Sequence, residues 1–217
     1  MNKFEKVVLI TGCAGFIGAA LSKRFLAANY KVIGIDNLNN YYDIKLKYDR
    51  LEVIKNFAKD RNCLWEFFKV SIENIKEIKD IFIKNKPDIV INLAAQAGVR
   101  FSIDNPASYV KSNLNGFFNI LENCKDNNVE HLVYASSSSV YGGNDDYPFN
   151  ENQKIDRPLS FYAATKISNE MMAYSYSNIY KIPITGLRFF TVYGPWGRPD
   201  MAPVSYTHLR AHETIAN

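Results

Sequence analysis

The sequence predicts an α/β fold in which a doubly wound parallel sheet carries helices on both faces. Two features of the 217-residue chain lead to this prediction. Short β-rich runs alternate with longer helical patterns, which is typical of strands joined by crossover helices. The β-rich runs are continuously apolar rather than alternating, as expected for strands buried on both faces of a parallel sheet. Ligands of such sheets bind at the carboxyl ends of the strands, where the strand order reverses.

Six runs rich in β-branched, aliphatic and aromatic residues are predicted as strands. In chain order they are "KVVLIT" (6–11), "KVIGID" (31–36), "WEFFKV" (65–70), "DIVINLAA" (88–95), "HLVYASS" (131–137) and "ITGLRFF" (184–190). Helical patterns fill the intervals between them. The first helix is expected to end at about residue 28, and the others lie around 43–57, at 73–84, over about 106–126 and from about 160 to 180.

Composition and charge exclude several classes of protein. Hydrophobic residues make up 47% and aromatic residues 14% of the chain, which is ample for a packed core. The net charge of +4 is spread over interspersed lysines and acids, so no nucleic-acid partner is expected. No apolar run reaches the length of a signal-peptide core or of a membrane span, about 18 residues. We therefore expect a cytoplasmic protein with no membrane partner, and reduced thiols at Cys13, Cys63 and Cys124, which fit no metal-ligand spacing.

A glycine-rich turn, "TGCAGFIG", lies between the first strand and its helix. Its glycines, Gly12, Gly15 and Gly18, are suited to a tight turn, to close approach of a pyrophosphate to the helix N-terminus, and to helix–strand packing. Asp36 ends the second strand, where a carboxylate can accept hydrogen bonds from adenosine ribose hydroxyls and repel a 2′-phosphate. These features together predict NAD rather than NADP as the cofactor. The alternative is a glycine turn without a ligand and a helix-capping aspartate.

The segment "YAATK" supplies Tyr162 and Lys166, four residues apart and therefore on one face of a predicted helix. A tyrosine has an ordinary pKa of about 10, too high for a base at neutral pH. A nearby ammonium and the positive nicotinamide of NAD would both favour the phenolate. The alternative is a surface tyrosine–lysine pair on an amphipathic helix.

The GxxGxxG spacing together with Tyr-x-x-x-Lys resembles the extended short-chain dehydrogenase/reductase family, from residue 6 to about residue 202. The resemblance implies a Rossmann-type fold with Tyr162 as general base and acid, and with Lys166 lowering its pKa and holding the nicotinamide ribose. It also gives a role to "SSSSVYGG" (136–143), which is not read as a linker. Within it, Ser137 matches the family's Ser or Thr that hydrogen-bonds the reacting hydroxyl.

The resemblance also implies the residues that line the ligands. The cofactor-binding set is Gly12, Gly15, Phe16, Ile17, Gly18, Asp36, Asn37, Leu93, Ala94, Ala95, Asn113, Tyr162 and Lys166. The substrate-binding set is Gln96, Ser137, Ser138, Thr191 and Arg198, with Arg100 as a second candidate arginine. No metal is expected. Ser71 stands where the family usually has an Asp that contacts the adenine amino group, so that contact is left open.

The residues after Ser137 narrow the reaction. Related dehydratases have Asp-Glu at these two positions and related decarboxylases carry a glutamate in the loop, whereas this chain has Ser138 and Ser139. Hydroxyls are poor substitutes for carboxyl groups in acid–base catalysis. The remaining reaction is oxidation at C4, rotation of the 4-keto sugar and return of the hydride to the other face, as in a C4 epimerase.

Three segments, 36–52, 92–106 and 187–202, are similar to UDP-glucuronate 4-epimerases. An arginine fork at Arg198 suits a sugar carboxylate, and Thr191 replaces the asparagine of galactose-type epimerases. We therefore expect NAD-dependent conversion of UDP-glucuronate to UDP-galacturonate. The alternatives are another nucleotide-sugar 4-epimerase, acting on UDP-glucose or UDP-N-acetylglucosamine, and a non-catalytic NAD-binding module.

The predicted organisation has three parts. Residues 1–190 form the NAD-binding domain with the catalytic residues, 191–203 begin a truncated substrate-binding region, and 204–217 are a non-native tail. The tail is set apart because "VSYTHLRAHET" (204–214) looks like the in-frame translation of a sequencing adapter. We favour this interpretation over the alternative, in which His208 and His212 form half of a zinc site. We expect the smaller C-terminal substrate domain to be largely missing and the 217-residue chain to be inactive. Members of the family often dimerise through two helices, here those near 106–126 and 160–180, so a homodimer of the full-length protein is an open prediction.

Overall fold

A computed structural model describes residues 4 and 6–199 of the chain. Its strands are β1 (Val7–Thr11), β2 (Lys31–Asp36), β3 (Trp65–Lys69), β4 (Ile89–Asn92), β5 (His131–Ser137) and β6 (Ile184–Phe189). Its α-helices are α1 (Phe16–Ala27), α2 (Ile44–Asp60), α3 (Ile75–Asn85), α4 (Phe101–Asp104), α5 (Pro106–Tyr109), α6 (Phe117–Asp126) and α7 (Phe161–Tyr180). A π-helical segment (Val110–Gly116) joins α5 to α6, and a 3₁₀ turn (Ser138–Tyr141) follows β5.

The six strands form one parallel sheet in the order β3-β2-β1-β4-β5-β6. From β1 the chain moves outward to β2 and β3, then returns through α3 to β4 on the other side of β1. The strand order therefore reverses between β1 and β4, which is where doubly wound sheets bind ligands. The predicted fold class, a doubly wound parallel sheet, is confirmed.

The core has one apolar layer on each face of the sheet. In β1 successive side chains alternate between the two layers, with Leu9 in one and Val8 and Ile10 in the other, and none of the three is exposed. Burying each such side chain contributes about 1.5–3 kcal/mol. The central strand thereby fixes the sheet edge on which the site is built.

The structure differs from the sequence-based expectation in two places. The expected helix over 106–126 is found with those bounds, but its middle part, Val110–Gly116, is π-helical rather than α-helical. The two edge strands are not buried on both faces, since no residue of β3 is fully buried, and the central part of β6 is exposed, with Leu187 at 39%. An edge strand has one neighbour only, so continuous apolar character there does not imply complete burial.

Within residues 4 and 6–199, no helix combines the length and the apolar character that crossing a membrane requires.

Candidate active site

A cleft of about 660 Å³ opens at the carboxyl ends of the strands, on both sides of the point where the strand order reverses. Every predicted site residue except Asn113 lines it. The predicted cofactor-binding residues in its wall are Gly12, Gly15, Phe16, Ile17, Gly18, Asp36, Asn37, Leu93, Ala94, Ala95, Tyr162 and Lys166. The predicted substrate-binding residues Gln96, Ser137, Ser138, Thr191 and Arg198 also line it, and so does Arg100.

The glycine turn is shaped by contacts that exclude side chains. Gly12 has a φ of +70°, and a Cβ on it would lie 2.8 Å from the Ala94 nitrogen. A Cβ on Gly18 would lie 2.2 Å from the Gly12 oxygen, so this glycine permits the close packing of α1 on β1. Gly15 is the N-cap of α1, whose N-terminal amides therefore begin at the cleft. A pyrophosphate fits this arrangement because helix N-termini present free N–H groups and a positive dipole end.

Asp36 is held at the end of β2 by backbone amides. One carboxylate oxygen accepts a hydrogen bond from the Ala14 N–H at 3.1 Å, and the other accepts one from the Leu38 N–H at 2.9 Å. A carboxylate offers about four acceptor positions. The two that remain, in a side chain that lines the cleft, are suited to the two hydroxyls of an adenosine ribose.

Two cations of α2 lie beside this carboxylate, and the sequence analysis did not assign either of them. The Lys47 ammonium lies 3.9 Å from Asp36, and Lys47 lines the cleft. The Arg50 guanidinium donates to the Ala14 carbonyl, to the Tyr42 hydroxyl and to the Trp196 carbonyl. Their spacing of three residues, on the helix that follows the Asp36 strand, places both cations on one helix face. This spacing could have predicted them from the sequence.

The predicted catalytic residues meet at the junction of β5 and α7. Ser160 caps α7 by accepting a hydrogen bond from the Ala163 N–H at 3.0 Å, so Tyr162 lies in the first turn and Lys166 one turn later. Ser137 and Tyr162 line the cleft together, and the Ser137 hydroxyl lies close enough to Tyr162 to lower its pKa. The Lys166 ammonium donates to the Ala135 carbonyl at 2.9 Å and lies 5.9 Å from the centre of the Tyr162 ring.

Burial has the largest influence on the pKa values of Tyr162 and Lys166. It raises the pKa of Tyr162, while the nearby Ser137 hydroxyl and the positive charge of Arg198 lower it. Burial also lowers the pKa of Lys166 to about 8. Arg198, proposed from the sequence as a substrate ligand, is thus a cation that acts on the tyrosine in this structure. The lowering of the Tyr162 pKa by Lys166 stays a prediction.

A partly buried ion pair ties α7 and β6 to the strand that carries Ser137. The Ser136 hydroxyl donates to Glu170 at 2.5 Å, and the same carboxylate binds Arg188 of β6 at 2.9 Å. Glu170 and Arg188 have side chains that are 12% and 17% exposed. Glu170 is one turn beyond Lys166, so α7 is tied to two consecutive residues of β5 and to β6.

Asn113 was predicted to bind the cofactor, but it does not line the cleft. It is buried in the π-helical segment, where its side-chain amide accepts a hydrogen bond from the Gln96 N–H at 2.8 Å and donates to the Gln96 carbonyl at 3.1 Å. The amide also donates to Thr165 of α7 at 3.1 Å. In the described structure, Asn113 therefore positions the cleft-lining segment at Gln96 against the catalytic helix.

An aromatic row that the sequence analysis did not foresee backs the catalytic tyrosine. Tyr109 is fully buried and donates to the Ala97 carbonyl at 2.9 Å, and its ring lies edge-on to Tyr162 with 6.1 Å between centroids. Phe101 continues the row at 6.3 Å, and Tyr41 follows at 5.1 Å. The two ends of the row, Tyr41 and Tyr162, are far apart in sequence, so the fold brings them together.

The far end of the cleft carries hydroxyls and cations. Ser137 donates to the Ser139 hydroxyl at 3.1 Å, and Ser138 lies in the 3₁₀ turn between them. The Arg198 guanidinium lies 5.9 Å from the centre of the Tyr41 ring. Among the described residues that line the cleft, Asp36 is the only acid. The described part of the chain therefore places no carboxylate next to Ser137 in the cleft wall.

No group of three or more His, Cys, Asp or Glu side chains in the described part of the chain is arranged to hold a metal ion. His208 and His212, and the predicted tail at 204–217, lie outside the described residues.

A glycine turn at a helix N-terminus, a strand-end aspartate and a serine–tyrosine–lysine group in one cleft define a dinucleotide-dependent enzyme of the short-chain dehydrogenase/reductase type. The chain belongs to the NAD dependent epimerase/dehydratase family, which it matches over residues 8–213. This match extends into the segment at 204–217, whose assignment as a non-native tail stays a prediction.

Three similar proteins illustrate the relationship. Protein CapI of Staphylococcus aureus is 54% identical over 202 residues, which are 92% of this chain and 58% of that protein. UDP-glucuronate 4-epimerase 4 of Arabidopsis thaliana is 47% identical over 92% of this chain and 45% of that protein. The crystal structure of UDP-glucuronic acid 4-epimerase from Bacillus cereus, in complex with UDP-glucuronic acid and NAD, is 33% identical with a TM-score of 0.85. That similarity covers 95% of this chain and 63% of the Bacillus chain.

Proposed function

We propose that the protein is an NAD-dependent nucleotide-sugar 4-epimerase and that its substrate is UDP-glucuronate. The observation that carries the proposal is the composition of the cleft. Ser137, Tyr162 and Lys166 meet at the carboxyl end of β5, and no described carboxylate of the cleft wall lies beside them. This set suits proton transfer at a sugar hydroxyl and lacks the acid that elimination of water requires.

NAD fits the other end of the cleft. The glycine turn and the N-terminus of α1 are suited to its pyrophosphate, and the unused acceptor positions of Asp36 to its adenosine ribose. When bound, NAD takes up a hydride from C4 of the sugar and later returns it.

The residues of the chain handle the proton and the orientation of the sugar. Tyr162 takes the proton of the C4 hydroxyl and gives it back after the 4-keto sugar has rotated. Ser137, which lines the cleft with Tyr162, would hold the same oxygen in both half-reactions. Lys166 would stabilise the phenolate and, with NAD bound, would hold its nicotinamide ribose. Return of the hydride to the opposite face of C4 would invert the configuration of that carbon.

The sugar is proposed from the charges at the far end of the cleft. A glucuronate carboxylate needs a cation, and Arg198 supplies a planar fork of donors there, with Ser138 and Thr191 as hydroxyl partners in the same wall. The Arabidopsis and Bacillus relatives are both UDP-glucuronate 4-epimerases by name, which supports the same substrate.

The proposal is tested with the full-length protein and three substrates, UDP-glucuronate, UDP-glucose and UDP-N-acetylglucosamine. The expected result is conversion of UDP-glucuronate to UDP-galacturonate, with values of kcat/KM at least tenfold lower for the two sugars without a carboxylate. The 217-residue chain, assayed in parallel, is expected to give no turnover. Preference for UDP-glucose or UDP-N-acetylglucosamine would assign a different 4-epimerase. NAD binding without turnover of any sugar would indicate a non-catalytic module.

We further propose that the full-length protein forms a homodimer through α6 and α7. Both helices expose apolar side chains, including Phe118 at 42%, Met171 at 54% and Tyr174 at 74%. Pairing two copies of this face would bury them, and the interface would be isologous. Sedimentation of the wild type as a dimer and of Tyr174→Glu as a monomer is the expected result. A wild-type monomer at high concentration would contradict the proposal.

A further inference from the structure

The adenosine end of the cleft carries a cation beside its carboxylate. The Lys47 ammonium lies 3.9 Å from the nearer oxygen of Asp36, and both side chains are 7% exposed. Such an aspartate is usually taken as the group that excludes NADP, because its charge repels a 2′-phosphate. In this chain the buried, positively charged Lys47 lies next to Asp36, so it reduces the repulsion between Asp36 and a 2′-phosphate.

The Lys47 ammonium is held in place and retains donor capacity. It donates to the Asn39 side-chain oxygen at 2.7 Å and lies 5.2 Å from the centre of the Tyr42 ring. An ammonium has three donors, and Asn39 takes one of them. Because Lys47 lines the cleft, its remaining donors can face a ligand that approaches Asp36.

The neighbouring cation cannot take this role. Arg50 is 2% exposed, does not line the cleft, and directs its guanidinium to two carbonyl oxygens and a tyrosine hydroxyl. These contacts tie α2 to the glycine turn and to the segment after β6. Of the two cations, Lys47 is therefore the one available to a phosphate.

We propose that Lys47 sets the choice between NAD and NADP by opposing Asp36, so that the site accepts a 2′-phosphate better than the aspartate alone would allow. This inference rests on the proposed dinucleotide cofactor and goes beyond it. It assigns Lys47 as the specificity determinant of the adenosine end. It also implies that Asp36 and Lys47 have opposite effects on the ratio of NAD affinity to NADP affinity.

The test measures the dissociation constants of NAD and NADP by calorimetric titration of the 217-residue chain. Lys47→Met and Lys47→Gln are expected to raise the preference for NAD about 10- to 100-fold, because a charge-assisted hydrogen bond to the phosphate is lost. Lys45→Met is the matched control. It removes the same charge two residues away on the same helix, from a side chain that is 75% exposed and paired with Asp49 at 2.7 Å. It should leave the ratio unchanged.

Asp36→Asn tests the same balance while leaving Lys47 in place. This variant is expected to bind NADP more tightly than NAD, because the cation is then unopposed. The inference is overturned if the Lys47 variants keep the wild-type ratio within twofold, or if Asp36→Asn still prefers NAD. Should the Lys47 variants fail to fold by circular dichroism, the Asp36→Asn result decides.

This design tests the proposed cofactor separately from the proposed reaction on the sugar. A wild-type chain that binds neither dinucleotide would contradict the proposed cofactor and this inference together. A chain that binds NAD with the predicted ratios, in a protein that turns over no sugar, would support the inference and contradict the proposed reaction.

Discussion

Tyr162 is the side chain on which the proposed chemistry depends. Removing its hydroxyl while keeping the ring, as in Tyr162→Phe, should lower the kcat of the full-length protein about 10²- to 10⁴-fold, because proton transfer is lost. Its affinity for NAD should change little. Tyr174→Phe is the matched control, since that tyrosine is 74% exposed on the same helix. Comparable activity in the two variants would remove Tyr162 from the mechanism.

Lys166 should make the stability of the chain depend on pH. Burial lowers its pKa from 10.5 to about 8 in the folded protein. Between pH 8 and pH 10.5 the unfolded chain therefore binds more protons, and the free energy of unfolding rises with pH. The rise amounts to about 3 kcal/mol.

The measurement compares urea unfolding of the wild type and of Lys166→Met at pH 8 and pH 10. Other groups titrate in both proteins, so the difference between the two curves isolates Lys166. The wild type should gain stability relative to the variant as pH rises. A constant difference would mean that Lys166 has an ordinary pKa in the folded chain.

Arg198 should hold the substrate carboxylate, in addition to lowering the pKa of Tyr162. Arg198→Met is expected to raise the KM for UDP-glucuronate about 10- to 100-fold, because the fork that holds the carboxylate is lost. A freed carboxylate on a 4-keto sugar is a β-keto acid, so UDP-pentose should appear as a by-product. Equal KM values for the variant and the wild type, with no pentose formed, would contradict this assignment.

At the scale of elements, the junction of β5, α7 and β6 holds the catalytic residues in register. Glu170 is shared by Ser136 and Arg188 in a partly buried pair, and removing its charge leaves Arg188 without its carboxylate partner. Glu170→Gln should therefore lower the free energy of unfolding by about 1–3 kcal/mol. Asp49→Asn breaks an exposed pair with Lys45 and should cost less than about 1 kcal/mol. Urea unfolding of the two variants provides the comparison, and equal losses would show that Glu170 is not an anchor.

Elements that have a clear local sequence pattern were predicted well. All six strands were found because each is a short apolar run that ends in a turn or a polar residue, and the bounds of β2 and β5 agree with those of the structure. The π-helical hydrogen bonding of Val110–Gly116 was not predicted, because hydrophobic periodicity indicates a helix but not its hydrogen-bond pattern.

The site was predicted as a set of residue types rather than as a set of contacts. The glycine turn, Asp36 and the Tyr162–Lys166 pair carry their spacing in the sequence, so their place in the cleft could be foreseen. The orientation of Asn113 could not be foreseen, because it depends on hydrogen bonds with the backbone N–H and carbonyl of Gln96. Lys47 resembles an ordinary helix-surface cation until the packing of α2 over the glycine turn buries it.

At the scale of the whole molecule, the described residues leave large apolar side chains exposed just before α7 and in the segment after β6. Leu159 is 77% exposed and Tyr193 is 81% exposed. The chain spans 58% of CapI and 63% of the Bacillus epimerase. We therefore place NAD binding in this chain and expect epimerisation from the full-length protein.

The central claim is that one hydride leaves C4 and returns to the same carbon. It is tested most directly by incubating the full-length protein with UDP-glucuronate that carries deuterium at C4, without added cofactor. The account predicts UDP-galacturonate that retains the deuterium at C4, with no net formation of NADH. Exchange of the label for solvent hydrogen would contradict it, because the reaction would then proceed by removal of a proton from C4.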